Sequence, residues 1–183
     1  MTWNGLQAIY DFLLDLQNQL MDRDPQEVLE LARAYAEALK APWAFEDLRQ
    51  EDFDAFAARI QDVLKEVLDV CEAQGFQSLY FEYDLDNDWN CGFYCSAQDA
   101  SGDEEVLANW QRHFPCGTFP EIGALYPGVF AGTPEVVARN MSLVACITAR
   151  FAEQIYVHQE RLERLGLKVF VGFHDQIPVT WVH

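Results

Sequence analysis

The sequence predicts an α+β fold in which N-terminal amphipathic helices and a long C-terminal helix pack on a small, mainly antiparallel sheet. Three observations predict it. Apolar residues recur every three or four positions as far as Gly75, alternate with polar ones from Ser78 to Ala97, and return to helical spacing after Thr133. Half of the 183 residues are apolar and 14% are aromatic, enough for one hydrophobic core, so residues 1–183 read as a single domain. Its helical part is 1–75; a hairpin, a loop, the long helix and a final strand occupy 76–183.

Trp3, Leu6, Ile9, Tyr10, Leu13, Leu16 and Leu20 form the stripe of the first helix. For the second, Asp24 is the N-cap, Pro25 suits the first helical position, and Glu27 stands where a capping box requires it. Val28, Leu31, Ala32, Tyr35, Ala36 and Leu39 face inward until Pro42 forbids continuation. In the third helix Phe53, Phe56, Ile60, Val63, Leu64, Val67, Leu68 and Cys71 share a face, and Gly75 supplies a left-handed stop.

Parity sets the register of the hairpin. With Asp86, Asn87 and Asp88 as the turn, Leu85 faces Trp89, Tyr83 faces Cys91, Phe81 faces Phe93 and Leu79 faces Cys95, all on one side. Tyr80, Glu82 and Asp84 then stand on the other side, opposite Tyr94, Gly92 and Asn90. A short helix is expected from Gly102 to His113, with Ser101 and Glu104 as its capping box. Pro115, Gly117, Pro120, Gly123, Pro127, Gly128 and Gly132 make Phe114 to Thr133 an irregular loop, and loops this long are often functional. Thr133 and Pro134 restart a helix whose face runs Val137, Met141, Val144, Thr148, Phe151, Ile155, His158, Leu162 and Leu165, with Gly166 as its cap. Leu167 to His174 alternates as a strand, and Pro178 to Val182 reads as an edge strand.

Charge is distributed unevenly. Of 30 acids and 12 bases, residues 1–105 hold 24 acids and six bases, whereas the remainder holds six of each. Between Glu66 and Gln111 there are eleven acids and no Lys or Arg. Such a surface attracts a basic partner and repels nucleic acid and anionic membranes. A nucleic-acid binder would need a basic stripe, which is absent. Acidity serving solubility in high salt would be uniform, and the neutral C-terminal part argues against it. No stretch has the roughly 20 apolar residues of a membrane span, and Asp11 and Asp15 interrupt any secretory core. The odd number and irregular spacing of the cysteines fit reduced thiols, and so a cytoplasmic protein.

Asp84, Asp86 and Asp88 have the spacing that begins an EF-hand. Trp89 stands where that loop needs Gly, and Cys95 where it needs Glu. A looser metal site at Asp84, Asp86 and Asp88 stays open. Glu82 and Asp84 would lie about 7 Å apart on one strand face, a carboxylate spacing used in glycoside hydrolysis, but a solvated face does not raise a catalytic pKa. His113 and Cys116 offer two zinc ligands, or a base and a thiol, which is less than a site. Cys91 and Cys95 share a strand face roughly 13 Å apart, too far for one metal ion or a disulfide. No phosphate loop, nucleophile elbow, HExxH or paired CxxC occurs, so no catalytic residue is assigned and no cofactor is expected. Tyr80, Trp89 and Tyr94 could hold Arg or Lys by cation–π attraction, and Trp89 could equally plug the open end of the core.

The run Tyr80-Phe81-Glu82-Tyr83-Asp84-Leu85-Asp86-Asn87-Asp88-Trp89 resembles the acidic aromatic hairpins of small immunity proteins from bacterial polymorphic toxin systems. The resemblance implies a protein that neutralises a basic partner, such as a toxin nuclease, by occupying its positively charged site. Tyr80, Glu82, Asp84, Asp86, Asp88 and Trp89 are the expected partner-binding residues. The alternative is a metal-dependent enzyme or small-ligand binder using the Asp84 to Asp88 carboxylates and the loop that follows.

Overall fold

The computed structural model describes residues 4–21, 24–100, 104–128, 132–174 and 179–183. Trp3, Ser101, Gly102 and Pro178, to which the sequence assigned roles, lie outside them. Helix α1 spans Gly5–Met21 and α2 Pro25–Ala38. Asp24 is extended, and its carboxylate accepts the Gln26 N–H at 2.8 Å, satisfying one of the donors that a helix start leaves unpaired. Helix α2 ends ahead of Pro42, with Lys40 left-handed at φ 60° and the Ala41 N–H bonding back to Ala36 O, and Pro42 then opens a one-turn helix, α3 (Trp43–Glu46). A 3-10 turn at Gln50–Phe53 leads into α4 (Asp54–Gln74), which ends at Gly75 with φ 70°.

Strands β1 (Ser78–Asp84) and β2 (Asn90–Ser96) pair antiparallel in the expected register, Leu79 with Cys95 through Tyr83 with Cys91. Next, the expected helix to His113 is cut short. Helix α5 covers only Glu104–Ala108, and Arg112–Gly117 forms β3, paired antiparallel with β2. Pro115 and Gly117 are legible as strand breakers, yet an edge strand tolerates Pro because one row of its N–H groups has no ladder partner. The expected loop therefore contains β3 and the one-turn helix α6 (Pro120–Gly123).

The expected long helix is two, α7 (Pro134–Val157) and α8 (Gln159–Leu165). At the joint the His158 N–H bonds Ile155 O, a tight turn, and His158 O accepts from Leu162. The buried stripe passes through this joint, with Ile155 and Leu162 both fully buried, so the apolar spacing does not record it. Gly166, φ 63°, ends α8. Strand β4 (Lys168–Phe173) runs parallel to β1, and β5 (Thr180–Trp181) pairs antiparallel with β4, giving the order β3-β2-β1-β4-β5.

Helices α4 and α7 cover one face of this sheet. Phe56 meets Phe81 edge-on at 5.9 Å, and Phe151 stacks on Phe81 at 4.6 Å. Helix α2 packs on α7, and Ala36, Ala41, Ala44 and Ala138 close the contact among α2, α3 and α7. Every residue from 137 to 152 except Arg139 and Arg150 is buried, so α7 is a central helix rather than a one-sided surface helix. Among the described residues no helix is long and apolar enough to cross a membrane.

Candidate functional site

The hairpin tip is built by short-range chemistry and braced from outside. Leu85 and Trp89 tuck back onto the core face, leaving Asp86, Asn87 and Asp88 exposed. Asp84 Oδ1 accepts the Asp86 N–H at 3.1 Å, which starts the turn, and the Asn90 N–H closes it on Asn87 O at 2.9 Å. Asp88 and Trp89 both take left-handed backbone conformations, φ 48° and 54°. Asp visits that region with little penalty; Trp does not. The conformation is held by the segment after β3. Phe119 N–H donates to Asp88 O at 2.7 Å, and Gly123 sits so close that a Cβ there would stand 3.3 Å from Asp88 Oδ1. Tyr126 meets Trp89 edge-on at 6.3 Å, while Trp89 stacks on Tyr83 at 5.3 Å and 7°. Burial, then the negative charge of Asp86 and a hydrogen bond to it, push the Tyr126 phenol up to about 12. Residues 119–126 thus buttress the acidic tip.

On the sheet face turned away from α4 and α7, Tyr80 is covered by Ala100, Leu107 and Phe170. Burial, then the charge of the adjacent Glu82, hold its phenol well above the ordinary range, and its hydroxyl donates to Glu82. The residues paired with Glu82 on either side are Gly92 and Gly172, so no side chain flanks the carboxylate on the ladder. His174 Nδ1 lies 3.3 Å from Glu82 Oε1. The His113 ring stacks on Tyr94 at 4.4 Å and covers Gly92, where an added Cβ would stand 2.5 Å from His113 Nε2. Trp110, 47% exposed, lies 5.3 Å from Tyr94.

No protein-family model, curated protein or solved structure matches the chain. The site rests on its own geometry. The structure gathers Glu82, Asp84, Asp86 and Asp88 on one hairpin, as expected. It departs from expectation at the aromatics: Trp89 is 1% exposed and Tyr80 8%, so neither is available as a surface anchor. Trp89 plugs the core, and the solvent-facing aromatics of this region are Tyr94 and Trp110. The sequence weighs His113 only together with Cys116, gives His174 no site role, and on the helix expected to run to His113 turns Trp110 inward, whereas Trp110 is exposed. Glycines at two strand positions beside Glu82 were the legible sign that something approaches closely there.

Among the described residues no three His, Cys, Asp or Glu side chains are placed to hold one metal ion, at Asp84, Asp86 and Asp88 or elsewhere. His113 lies opposite Tyr94 on the outward face of β3, whereas Cys116 is buried on the core side, so the two do not meet. All five cysteines are buried free thiols. Cys71 and Cys95 approach to 3.7 Å between sulfurs. Contact with Cys116, and then burial, push the Cys91 thiol up.

Elsewhere some acids meet arginines. Arg139 reaches Asp47 at 3.5 Å, Arg150 reaches Asp54 at 3.2 Å, and Arg161 bridges Asp69 and Glu72 at 2.7 and 2.8 Å. Arg164 adds a second contact to Glu72 at 3.3 Å. These arginines of α7 and α8 thus meet Asp47, just past α3, and three acids of α4. Among the described residues no Lys or Arg pairs with Asp84, Asp86 or Asp88.

Proposed function

We propose that this protein is a binding module that captures a basic protein on the acidic hairpin, as an immunity or inhibitor protein would occlude the cationic site of a toxin nuclease. The carrying observation is that Glu82, Asp84, Asp86 and Asp88 stand together on one hairpin while, among the described residues, no Lys or Arg pairs with the three at its tip. Asp86 and Asp88 are braced by Tyr126, Phe119 and Gly123, and Asp84 by its bond to the Asp86 N–H, so little ordering cost would accompany their use. Glu82 extends the same field along β1, and Tyr94 with Trp110 supplies exposed aromatic surface beside it. The acids would mainly speed encounter and exclude wrong partners, while the aromatics would set the lifetime of the complex.

The test is a comparison of the native chain with the triple variant Asp84→Asn, Asp86→Asn, Asp88→Asn. Asn keeps the turn hydrogen bonds and is at home in the left-handed region, so the fold is expected to survive. A basic protein captured from extract by the native chain is expected to associate roughly tenfold more slowly with the variant at low salt, with a flatter dependence of rate on ionic strength. Equal rates and equal salt slopes would sink the proposal.

A further inference from the structure

Bases are few in this chain, 12 against 30 acids, yet three arginines meet at one cavity. A cavity of about 220 Å³ opens between α2, the segment joining α3 to the 3-10 turn, and α7. The apolar part of its wall is made by Leu29, Phe45, Leu48 and Phe53, with Cys146 and Ala149 of α7, and Gln26 lines it as well. Arg33, Arg49 and Arg150 line it too, against one carboxylate, Glu153. Two of these guanidiniums already hold acids. Arg49 bonds Glu51 at 2.9 Å and Asp52 at 2.8 Å, and Arg150 bonds Asp54 at 3.2 Å and Glu153 at 3.0 Å. Glu153 is therefore engaged and does not cancel the third cation.

Arg33 is that third cation. It is exposed, lies 5.2 Å over the Phe45 ring, and among the described residues pairs with no carboxylate. In a chain with 30 acids and 12 bases, an arginine left without an acid at an apolar cavity is the arrangement that an anion with an apolar tail would complete. A guanidinium offers a carboxylate two parallel hydrogen bonds, and the place of Arg33 over the Phe45 ring sets those donors at the cavity. The volume is below the range of drug-sized pockets, roughly 300–1,000 Å³, which limits the ligand to a small one.

We propose that this cavity binds a small anionic amphiphile, a monocarboxylate whose head meets Arg33 and whose short aliphatic tail lies against Leu29, Phe45 and Ala149. The site shares no residue with the acidic hairpin and stands or falls separately from the proposed function. The probe is octanoate, compared with 1-octanol and octylamine, which carry the same tail with a neutral and a positive head. Binding is read from the methyl resonances of Leu29 and Ala149 in labelled protein, for the native chain and for Arg33→Gln. Arg33 is a surface residue, so the variant is expected to fold, and its thermal melt verifies that. The expected result is saturable shifts at both methyls with octanoate, none with octylamine, and at least tenfold weaker octanoate binding in Arg33→Gln. The proposal is overturned if octanoate leaves these methyls unmoved, if octanol binds as tightly, or if the folded variant binds octanoate unchanged.

Discussion

Trp89 lies beside three exposed acidic or amide side chains and is itself 1% exposed. Its indole stacks on Tyr83, and its N–H is buried without an acceptor among the described residues. A buried donor left unpaired costs about 1–3 kcal/mol, and a left-handed backbone at such a bulky residue adds a cost of similar order. The residue keeps this position because the ring fills the end of the core. Truncating Trp89 to Ala is therefore expected to lower stability by about 3–5 kcal/mol, measured by denaturant unfolding. A loss under about 1 kcal/mol would place the indole at the surface instead. Parity in the sequence put Trp89 on the core face, but whether it would be covered was not legible. The groups that close over it, Gly123 and Tyr126, come from a stretch whose prolines and glycines read only as loop.

At the scale of elements, periodicity was a good guide wherever one face is wet and the other dry. It located α1, α2, α4, the hairpin and β4, and the cap glycines Gly75 and Gly166 fell where the backbone turns left-handed. It misjudged elements whose surroundings differ from that pattern. Strand β3 is a polar edge strand without clear alternation, and α7 is buried nearly all round, so its expected one-sided stripe understated its role. The candidate site was legible in part: the acids were found, while their brace was not. That brace has a pH signature. The Tyr126 phenol is raised from its ordinary value near 10 to about 12, chiefly by burial and then by Asp86. The fold therefore favours the protonated phenol; its contribution is complete below pH about 10 and is lost as pH climbs toward the folded value. Melts between pH 9 and 12 are expected to show a shallower alkaline decline for Tyr126→Phe than for the native chain. An identical decline would mean that Tyr126 is not tied to the tip.

Across the whole molecule, the neutral C-terminal part and the acidic N-terminal part are complementary. Arginines of α7 and α8 reach back to Asp47 and to Asp54, Asp69 and Glu72 of α4, and none of them reaches the hairpin tip. Such surface pairs contribute little each; burial is what joins the parts, since one cluster runs from Ile9 of α1 to Val182 beyond β5. The slowest-exchanging amides are expected in β1, at the centre of the sheet, and in residues 137–152 of α7, with β3 and α5 exchanging much faster. Hydrogen exchange read by mass spectrometry checks this, and protection in β3 outlasting that in β1 would contradict it. The parallel pairing of β1 with β4 joins Ser78 to Lys168. At a synthesis rate of about 5–20 residues per second, roughly ninety residues must be added after β1 before its second neighbour exists, leaving that edge bare for several seconds. Nascent chains on one messenger thus carry the same uncovered strand side by side. Glu82 and Asp84, set into that strand, give each copy a charge that pushes the next away.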